Sequence, residues 1–348
     1  SRLIRKLQSH GIQGQVLKWI EGWLKGRKQR VSLNGRFSKW CEVLSGVPQG
    51  SVLGPLLFLI FINDIDDDVI SKLCKFADDT KVGRAVGSED EVNILRNDLK
   101  KLCEWAKDWQ MLFSVDKCVV IHFGTNNKRA EYLMEGNRLK QSDGERDLGV
   151  IISSSGKPSE QCLAAAKKAN RMLGLIERNF KSRSKDVVVR LYKTLVRPRL
   201  EYCVQSWCPY LQKDIAVLEK VQRRATKMIL ACRTDSYEDR LKYTELTSLE
   251  CRRRRGDMIE VFKLLNGVEK IDYNILIQRA EKTGRRGHSY KLVKHRARLD
   301  LRKFYFSNRV VNTWNSLPES VVVAGTVNSF KARLDAYIRA KGSGWFVR

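Results

Sequence analysis

Acidic residues are scarce in this chain of 348 residues: 39 Asp and Glu stand against 66 Lys and Arg, giving a net charge of +27 and a pI near 9.9. A surplus of that size exceeds what solubility asks of a folded surface and implies a polyanionic partner. Long hydrophobic runs are absent too. The longest, Val52 to Ile62, is broken by Gly54 and Pro55 and falls short of the roughly 20 residues a membrane span needs. Nucleic acid is therefore favoured over a bilayer. No CxxC pair occurs among the nine cysteines, and their odd number argues against a zinc ribbon or a disulfide scaffold and for reduced thiols in an intracellular compartment. Cys203 and Cys208, the closest pair, have no second pair at metal-site spacing and read as small buried hydrophobes. Nothing resembles a signal peptide. The first residue is Ser1, not methionine, so a piece of a longer chain is expected. Internal repeats and long low-complexity stretches are lacking, and the length predicts two or three compact units.

Leu3, Ile4, Leu7, Ile12, Val16, Leu17, Ile20 and Leu24 recur at helical spacing around Gly11, which predicts two helices joined by a turn. Asn34-Gly35 between two alternating runs predicts a hairpin. Ser45-Gly-Val-Pro-Gln-Gly-Ser-Val-Leu-Gly-Pro55 packs three glycines and two prolines into a loop before a helix over 55–63. Such glycines let backbone approach a phosphate or base, although an ordinary loop and helix start fits equally. Ser88 and Glu91 form a capping box for a helix with apolar residues at Val92, Leu95, Leu99, Leu102, Ala106 and Trp109. A strand is predicted at Val119 to Phe123, and Glu145 to Ile152 predicts another strand with a preceding turn.

After Ser153 to Pro158 the pattern turns helical, over 161–178, 184–195 and 213–231. In the last of these Leu218, Val221, Ala225 and Ile229 line one side, and Lys220, Arg223, Arg224 and Lys227 the other. A solvated face or phosphate contact both fit that side. Arg252, Arg253, Arg254 and Arg255 precede a helix over 257–265 closed by Asn266-Gly267. From Lys282 to Arg309 basic residues alternate with Tyr290, Phe304, Tyr305 and Phe306. That interleaving suits stacked nucleic acid, and core packing suits the aromatics better.

One stretch organises the rest. In Lys75-Phe-Ala-Asp78-Asp79-Thr-Lys81 two adjacent carboxylates lie with no lysine or arginine directly beside them, between runs that read as a hairpin with both carboxylates in its turn. Like charges that close repel, and a divalent cation is the leading counter-charge, with oxygen ligands suiting Mg2+ or Mn2+.

Gly46-Val-Pro-Gln-Gly50 with Gly54-Pro55, followed by Phe76-Ala-Asp78-Asp79, closely resembles the substrate-binding loop and metal-binding turn of reverse transcriptases. The string Ser45 to Asp64, Glu145 to Val150 and Leu195 to Tyr202 resemble the non-LTR retrotransposon branch (LINE, jockey-like). The resemblance implies an α+β fold: a partial right-hand polymerase palm of antiparallel sheet with helices over 1–152, a helical thumb over 153–235 and a basic, mainly helical C-terminal region over 236–348. It implies RNA-directed DNA synthesis from deoxynucleoside triphosphates on an RNA template and DNA primer or target, with Mg2+ or Mn2+, in an intracellular setting, at the nucleus after cytoplasmic assembly. Asp78 and Asp79 would be the catalytic metal ligands. Gly46, Pro48, Gln49 and Gly50 would shape the template and nucleotide pocket, Lys117 would lie near the nucleotide phosphates, and Leu148-Gly149 would grip the primer. Lys220, Arg223, Arg224, Lys227 and the four arginines 252–255 would bind nucleic acid. The family places another essential aspartate on a strand before this segment, so weak or no polymerase activity is expected of this chain, and a non-catalytic nucleic-acid-binding remnant is the alternative. Replacement of that aspartate by Asp64, Asp66, Asp67 or Asp68 is disfavoured against a solvated acidic turn, because metal sites tolerate errors of only about half an ångström.

Overall fold

The computed structural model describes residues 2–280 and 287–342. It comprises two compact units, Ser1–Ser142 and Asp143–Arg348. Among the described residues no helix is long and apolar enough to cross a membrane.

In the first unit, α1 (Arg2–Ser9) and α2 (Gly14–Leu24) follow the predicted stripe and turn at Gly11, whose φ is +80°. Short strands come next: β1 (Lys28–Gln29), β2 (Ser32–Leu33), β3 (Arg36–Phe37) and β4 (Cys41–Glu42). Strands β2 and β3 meet at Asn34-Gly35, both with positive φ, the backbone that a tight I′ turn requires. Helix α3 (Leu53–Ile62) leads to β5 (Lys72–Phe76), β6 (Asp79–Gly83) and the long α4 (Glu89–Trp109). The capping box at the start of α4 is present: Ser88 Oγ accepts from the Glu91 N–H, and the Glu91 carboxylate from the Ser88 N–H. β7 (Val119–Val120), β8 (Leu133–Met134), β9 (Asn137–Arg138) and β10 (Lys140–Gln141) complete the unit. One core gathers Leu7, Leu17, Ile20 and Leu57; a second gathers Ile62, Ile65, Val92, Leu99, Leu102, Tyr132, Met134 and Leu139.

The second unit opens with the hairpin β11 (Gly144–Asp147) and β12 (Val150–Ser153), and among the described residues its remaining elements are helices, with an isolated β-bridge between Arg279 and Leu292. α5 (Ser159–Asn179), α6 (Lys185–Leu191), α7 (Arg197–Glu201), α8 (Val204–Trp207) and α9 (Gln212–Lys227) enclose one core, with a π-helical turn at Tyr192–Val196 between α6 and α7. α10 (Tyr237–Thr244) leads to α11 (Leu249–Leu265); after the short α12 (Asp300–Lys303), α13 (Phe306–Asn315), α14 (Glu319–Val322) and α15 (Val327–Lys341) close a second core around Phe262, Trp314 and Phe330.

The mixture of helices and small sheets agrees with the expected α+β class. The expected palm sheet takes a different form: every sheet among the described residues is two-stranded, and β7 pairs with β10 in parallel. The strand expected over Val119 to Phe123 shortens to β7. Three of the four aromatics expected to alternate with cations pack inward or against another ring, since Phe306 is buried, Tyr290 is half-buried against the second core, and Phe304 stacks on Tyr210 at 4.8 Å. Arg309, at the end of that segment, is also inside, in a bidentate pair with Asp257 at 2.9 Å. Lys282 lies outside the described residues.

Candidate functional site

The β5–β6 register places the two carboxylates. Phe76 pairs with Asp79, and Leu73 with Val82, so the turn consists of Ala77 and Asp78, while Asp79 opens β6. The turn is thus one residue earlier than the expected Asp78-Asp79. Ala77 has φ +51°, a region costly for a residue with Cβ. What outweighs that cost is burial: this register sets Leu73 and Val82 side by side against the second core of the unit. Strand alternation then exposes Asp79 beside Phe76, and Asp78 is exposed at the tip.

Neighbouring side chains fix this hairpin. The buried Asp98 of α4 accepts hydrogen bonds from the N–H groups of Ile70 at 3.1 Å and Ser71 at 2.8 Å, holding the entry to β5. Burial pushes the Asp98 carboxyl up, but those bonds and Lys101 outweigh it and leave it below the usual value. On the inward face Lys75 donates to the Asn63 carbonyl at 2.8 Å and to Asp66. Asp64 pairs with Lys6 at 2.5 Å and accepts from Trp105 Nε1 at 3.0 Å. Lys6 is 4% exposed and lies over the Phe61, Trp105 and Trp109 rings, closest to Trp109 at 3.7 Å. Burial draws its ammonium below the usual value, and Asp64 offsets only part of that. Asp64 and Asp66 are therefore counter-ions to lysines, not the solvated turn expected of them.

Do the residues present fit Mg2+ or Mn2+? Asp78 and Asp79 supply adjacent, accessible oxygen donors, but among the described residues no three His, Cys, Asp or Glu side chains gather as a metal-holding group. A hard divalent ion is commonly held by one or two carboxylates plus substrate phosphates. The pair fits that shared mode and does not form a protein-only cage.

The glycine loop is rigid by its own bonds. Gly46 and Gly50 adopt φ of +77° and +80°. Arg27 donates to the Gly46 carbonyl at 2.6 Å, Ser51 Oγ to the Pro48 carbonyl at 2.8 Å, and the Gly54 N–H to Ser51 Oγ at 2.9 Å. A Cβ at Gly54 would lie 2.7 Å from the Pro48 carbonyl, so the loop folds onto the first turn of α3 only because that position is glycine. Pro48 is half-buried, and Gly46, Gln49 and Gly50 are exposed. Lys117 is exposed at the end of a short 3-10 turn just before β7.

In the second unit, Leu148 and Gly149 form the β11–β12 turn with φ of +45° and +87°. The Leu148 carbonyl accepts from Tyr202 Oη at 2.9 Å, and a Cβ on Gly149 would lie 3.3 Å from the Tyr202 ring. The tip is thereby locked to the residue that follows α7.

The basic face of α9 is found as expected, and the fold adds to it. Lys220, Arg223, Arg224 and Lys227 line an open cavity of about 660 Å³ together with Asn170 from α5 and Tyr237 and Arg240 from α10. Sequence periodicity on α9 could not reveal these last three. Arg223 and Arg240 lie over the Tyr237 ring at 4.5 and 5.6 Å. The Tyr237 hydroxyl donates to the buried Glu219 and accepts from Gln222 at 2.9 Å. Burial raises both the Tyr237 and Glu219 values, and this hydrogen bond raises the tyrosine's further while restraining the carboxyl's rise. Glu177 reaches the cavity lining as a counter-ion, 3.0 Å from Arg224.

The arginine run does not belong with that face. Arg252, Arg253, Arg254 and Arg255 lie within α11, not before it. Arg252 pairs with Glu201, Arg254 with Glu250 at 3.2 Å, and Arg255 with Asp335 at 2.5 Å, while Arg253 is 3% exposed. Arg252 and Arg255 thus join helices within the second unit, because partly buried arginines need carboxylates and theirs lie far away in sequence.

Residues 1–176 match the family model "Reverse transcriptase (RNA-dependent DNA polymerase)". The chain is 25% identical over 225 residues to a probable RNA-directed DNA polymerase from transposon X-element of Drosophila melanogaster, covering 61% of this chain and 25% of that relative. It is 27% identical over 210 residues to the RNA-directed DNA polymerase from mobile element jockey of Drosophila funebris, covering 56% and 23%. With the jockey polymerase of Drosophila melanogaster it shares 26% over 252 residues, covering 67% and 27%. The chain spans about a quarter of the length of these curated relatives.

Proposed function

The chain belongs to the reverse transcriptase family, of the LINE-like, non-LTR retrotransposon type, and from that premise we propose that it forms part of an RNA-directed DNA polymerase acting on an RNA template, a DNA primer or target and deoxynucleoside triphosphates. The observation that carries the reading is the exposed Asp78-Asp79 pair at the tip of β5–β6, inside the matched residues. In this reading residues 1–152 are palm, 153–235 thumb and 236–348 a basic C-terminal region, and the protein works at the nucleus after cytoplasmic assembly. Asp78 and Asp79 would hold Mg2+ or Mn2+, and the bound ion would supply charge neutralisation for nucleotidyl transfer. The self-braced Gly46–Gly50 loop offers backbone and Gln49 to the base pair being formed, and Pro48 fixes the loop's course. Lys117 adds positive charge for the nucleotide phosphates. Leu148-Gly149 holds the primer end, and Lys220, Arg223, Arg224 and Lys227 take backbone phosphates.

Primer extension on an RNA template with Mg2+ tests this, comparing the chain with Asp78→Ala. Weak extension by the unchanged chain, none by the variant and equal nucleic-acid binding by both are expected. Extension that survives Asp78→Ala would overturn the catalytic assignment. A second reading, a nucleic-acid-binding protein without chemistry, is favoured by the α9 cavity and the two-carboxylate donor set; binding with no extension by either chain would support it.

A further inference from the structure

Between Lys25 and Trp40 the sequence holds six cationic residues and no Asp or Glu. The fold turns most of this segment into the β2–β3 hairpin, and its surface is not what a hairpin normally presents to water. Phe37 and Trp40 are each 58% exposed, and Val31 and Leu33 are 69% and 71% exposed. Register places Ser32 opposite Phe37 and Leu33 opposite Arg36. The Arg30 guanidinium lies over the Phe37 ring at 3.8 Å and the Trp40 ring at 4.6 Å. One cation thus backs two aromatic rings and holds them in place while more than half of each residue stays open to solvent. Exposing two large rings costs hydrophobic free energy that burial would recover, and none of the unit's apolar clusters includes them.

Arg30, Arg36 and Lys39 of the same segment are all exposed, as is Lys28, which lies opposite Glu42 in the β1–β4 register. Aromatic faces interleaved with cations are the chemistry that holds single-stranded nucleic acid: unpaired bases stack on the rings and the backbone follows the charge. A duplex hides its base faces and could use only the cations. The hairpin is also tied to the glycine loop. β1 pairs with β4 on either side of it, the Val43 N–H donates to the Arg27 carbonyl at 2.9 Å, and Arg27 donates to the Gly46 carbonyl.

We propose that the Arg30–Phe37–Trp40 face is a stacking platform for single-stranded RNA, engaging unpaired template on its way to the Gly46–Gly50 loop. The choice of RNA rests on the polymerase reading above; the platform itself rests on the rings and charges.

The test is equilibrium binding of the full chain, without catalysis, to a fluorescein-labelled 12-nucleotide oligouridylate, the matching oligodeoxythymidylate and an RNA–DNA duplex of the same length. For Phe37→Ala with Trp40→Ala, oligouridylate affinity is expected to fall by at least about tenfold, since base–aromatic stacking is worth roughly 1–3 kcal/mol per base, with duplex affinity changed less than twofold. Phe37→Tyr with Trp40→Phe should restore oligouridylate binding. Because both residues are mostly exposed, the alanine variant should melt with the unchanged chain, which separates lost stacking from lost folding. Unchanged oligouridylate affinity, or an equal loss on duplex, overturns the platform. A platform-dependent preference for oligodeoxythymidylate overturns the assignment to RNA. Neither result depends on primer extension, so failure here is distinguishable from failure of the polymerase reading.

Discussion

His288 shows how much one side chain's chemistry depends on where the chain puts it. It is 4% exposed, its Nδ1 accepts from the Tyr290 N–H at 3.2 Å, and its Nε2 lies 3.0 Å from the Trp314 carbonyl. A carbonyl cannot donate and an N–H cannot accept, so both contacts are made only by the neutral ring with its proton on Nε2. Burial holds the group below its usual 6.5, against the pull of the Trp314 carbonyl and Glu319. The unfolded chain takes up the proton near 6.5 and the folded chain at lower pH, so stability is full above 6.5 and declines as pH falls towards the folded value, at no more than about 1.4 kcal/mol per pH unit. Urea midpoints at pH 7.5 and 5.5 should show this decline in the unchanged chain and a smaller one in His288→Gln; equal declines would refute it. None of this is legible from Gly287-His288-Ser289. Arg252 and Arg255 fail to announce their roles for the same reason: their partners, Glu201 and Asp335, are 51 and 80 residues away.

Elements fared better where their determinants are local. Asn34-Gly35, the Ser88–Glu91 capping box and the apolar stripe of α4 all formed as read, because each depends on residues within a few positions. The β5–β6 turn slipped by one, since burial of Leu73 and Val82 set the register and carried Ala77 into positive φ. Asp98 governs this element from α4. Replacing it with alanine leaves the Ile70 and Ser71 N–H groups without their acceptor, which should cost about 2–3 kcal/mol and, by loosening the entry to β5, reduce primer extension as well. Asp98→Asn keeps one acceptor and should cost less. The carboxyl's lowered value places its contribution above the unfolded pKa, to be lost as pH falls through the folded one. Thermal unfolding of the three chains at pH 7 and pH 3 checks both statements: the gap between the unchanged chain and Asp98→Asn should narrow in acid.

For the whole molecule, the net charge of +27 implies a polyanionic partner but does not say which cations are open to one. The fold sorts them. The α9 cations converge on one open cavity, where Arg224 pairs with Glu177, whereas the α11 arginines are tied into ion pairs or buried. Counterion release converts this sorting into a measurement, because each phosphate neutralised contributes about 0.7–0.9 to the slope of log K against log salt. Changing Lys220, Arg223, Arg224 and Lys227 together to Gln should reduce the magnitude of the slope for an RNA–DNA duplex by about 3 and leave the fold intact, since those side chains face solvent while Leu218, Val221 and Ala225 hold the helix. Arg252→Gln with Arg255→Gln removes two formal charges, yet should leave the slope within experimental error and lower stability instead, by about 1–3 kcal/mol for the charged hydrogen bonds lost. Net charge alone predicts the same ranking and a difference only in degree, four charges against two; the fold predicts a difference in kind. A slope that falls in proportion to charge in both variants would show that binding reads the overall field and not the α9 cavity.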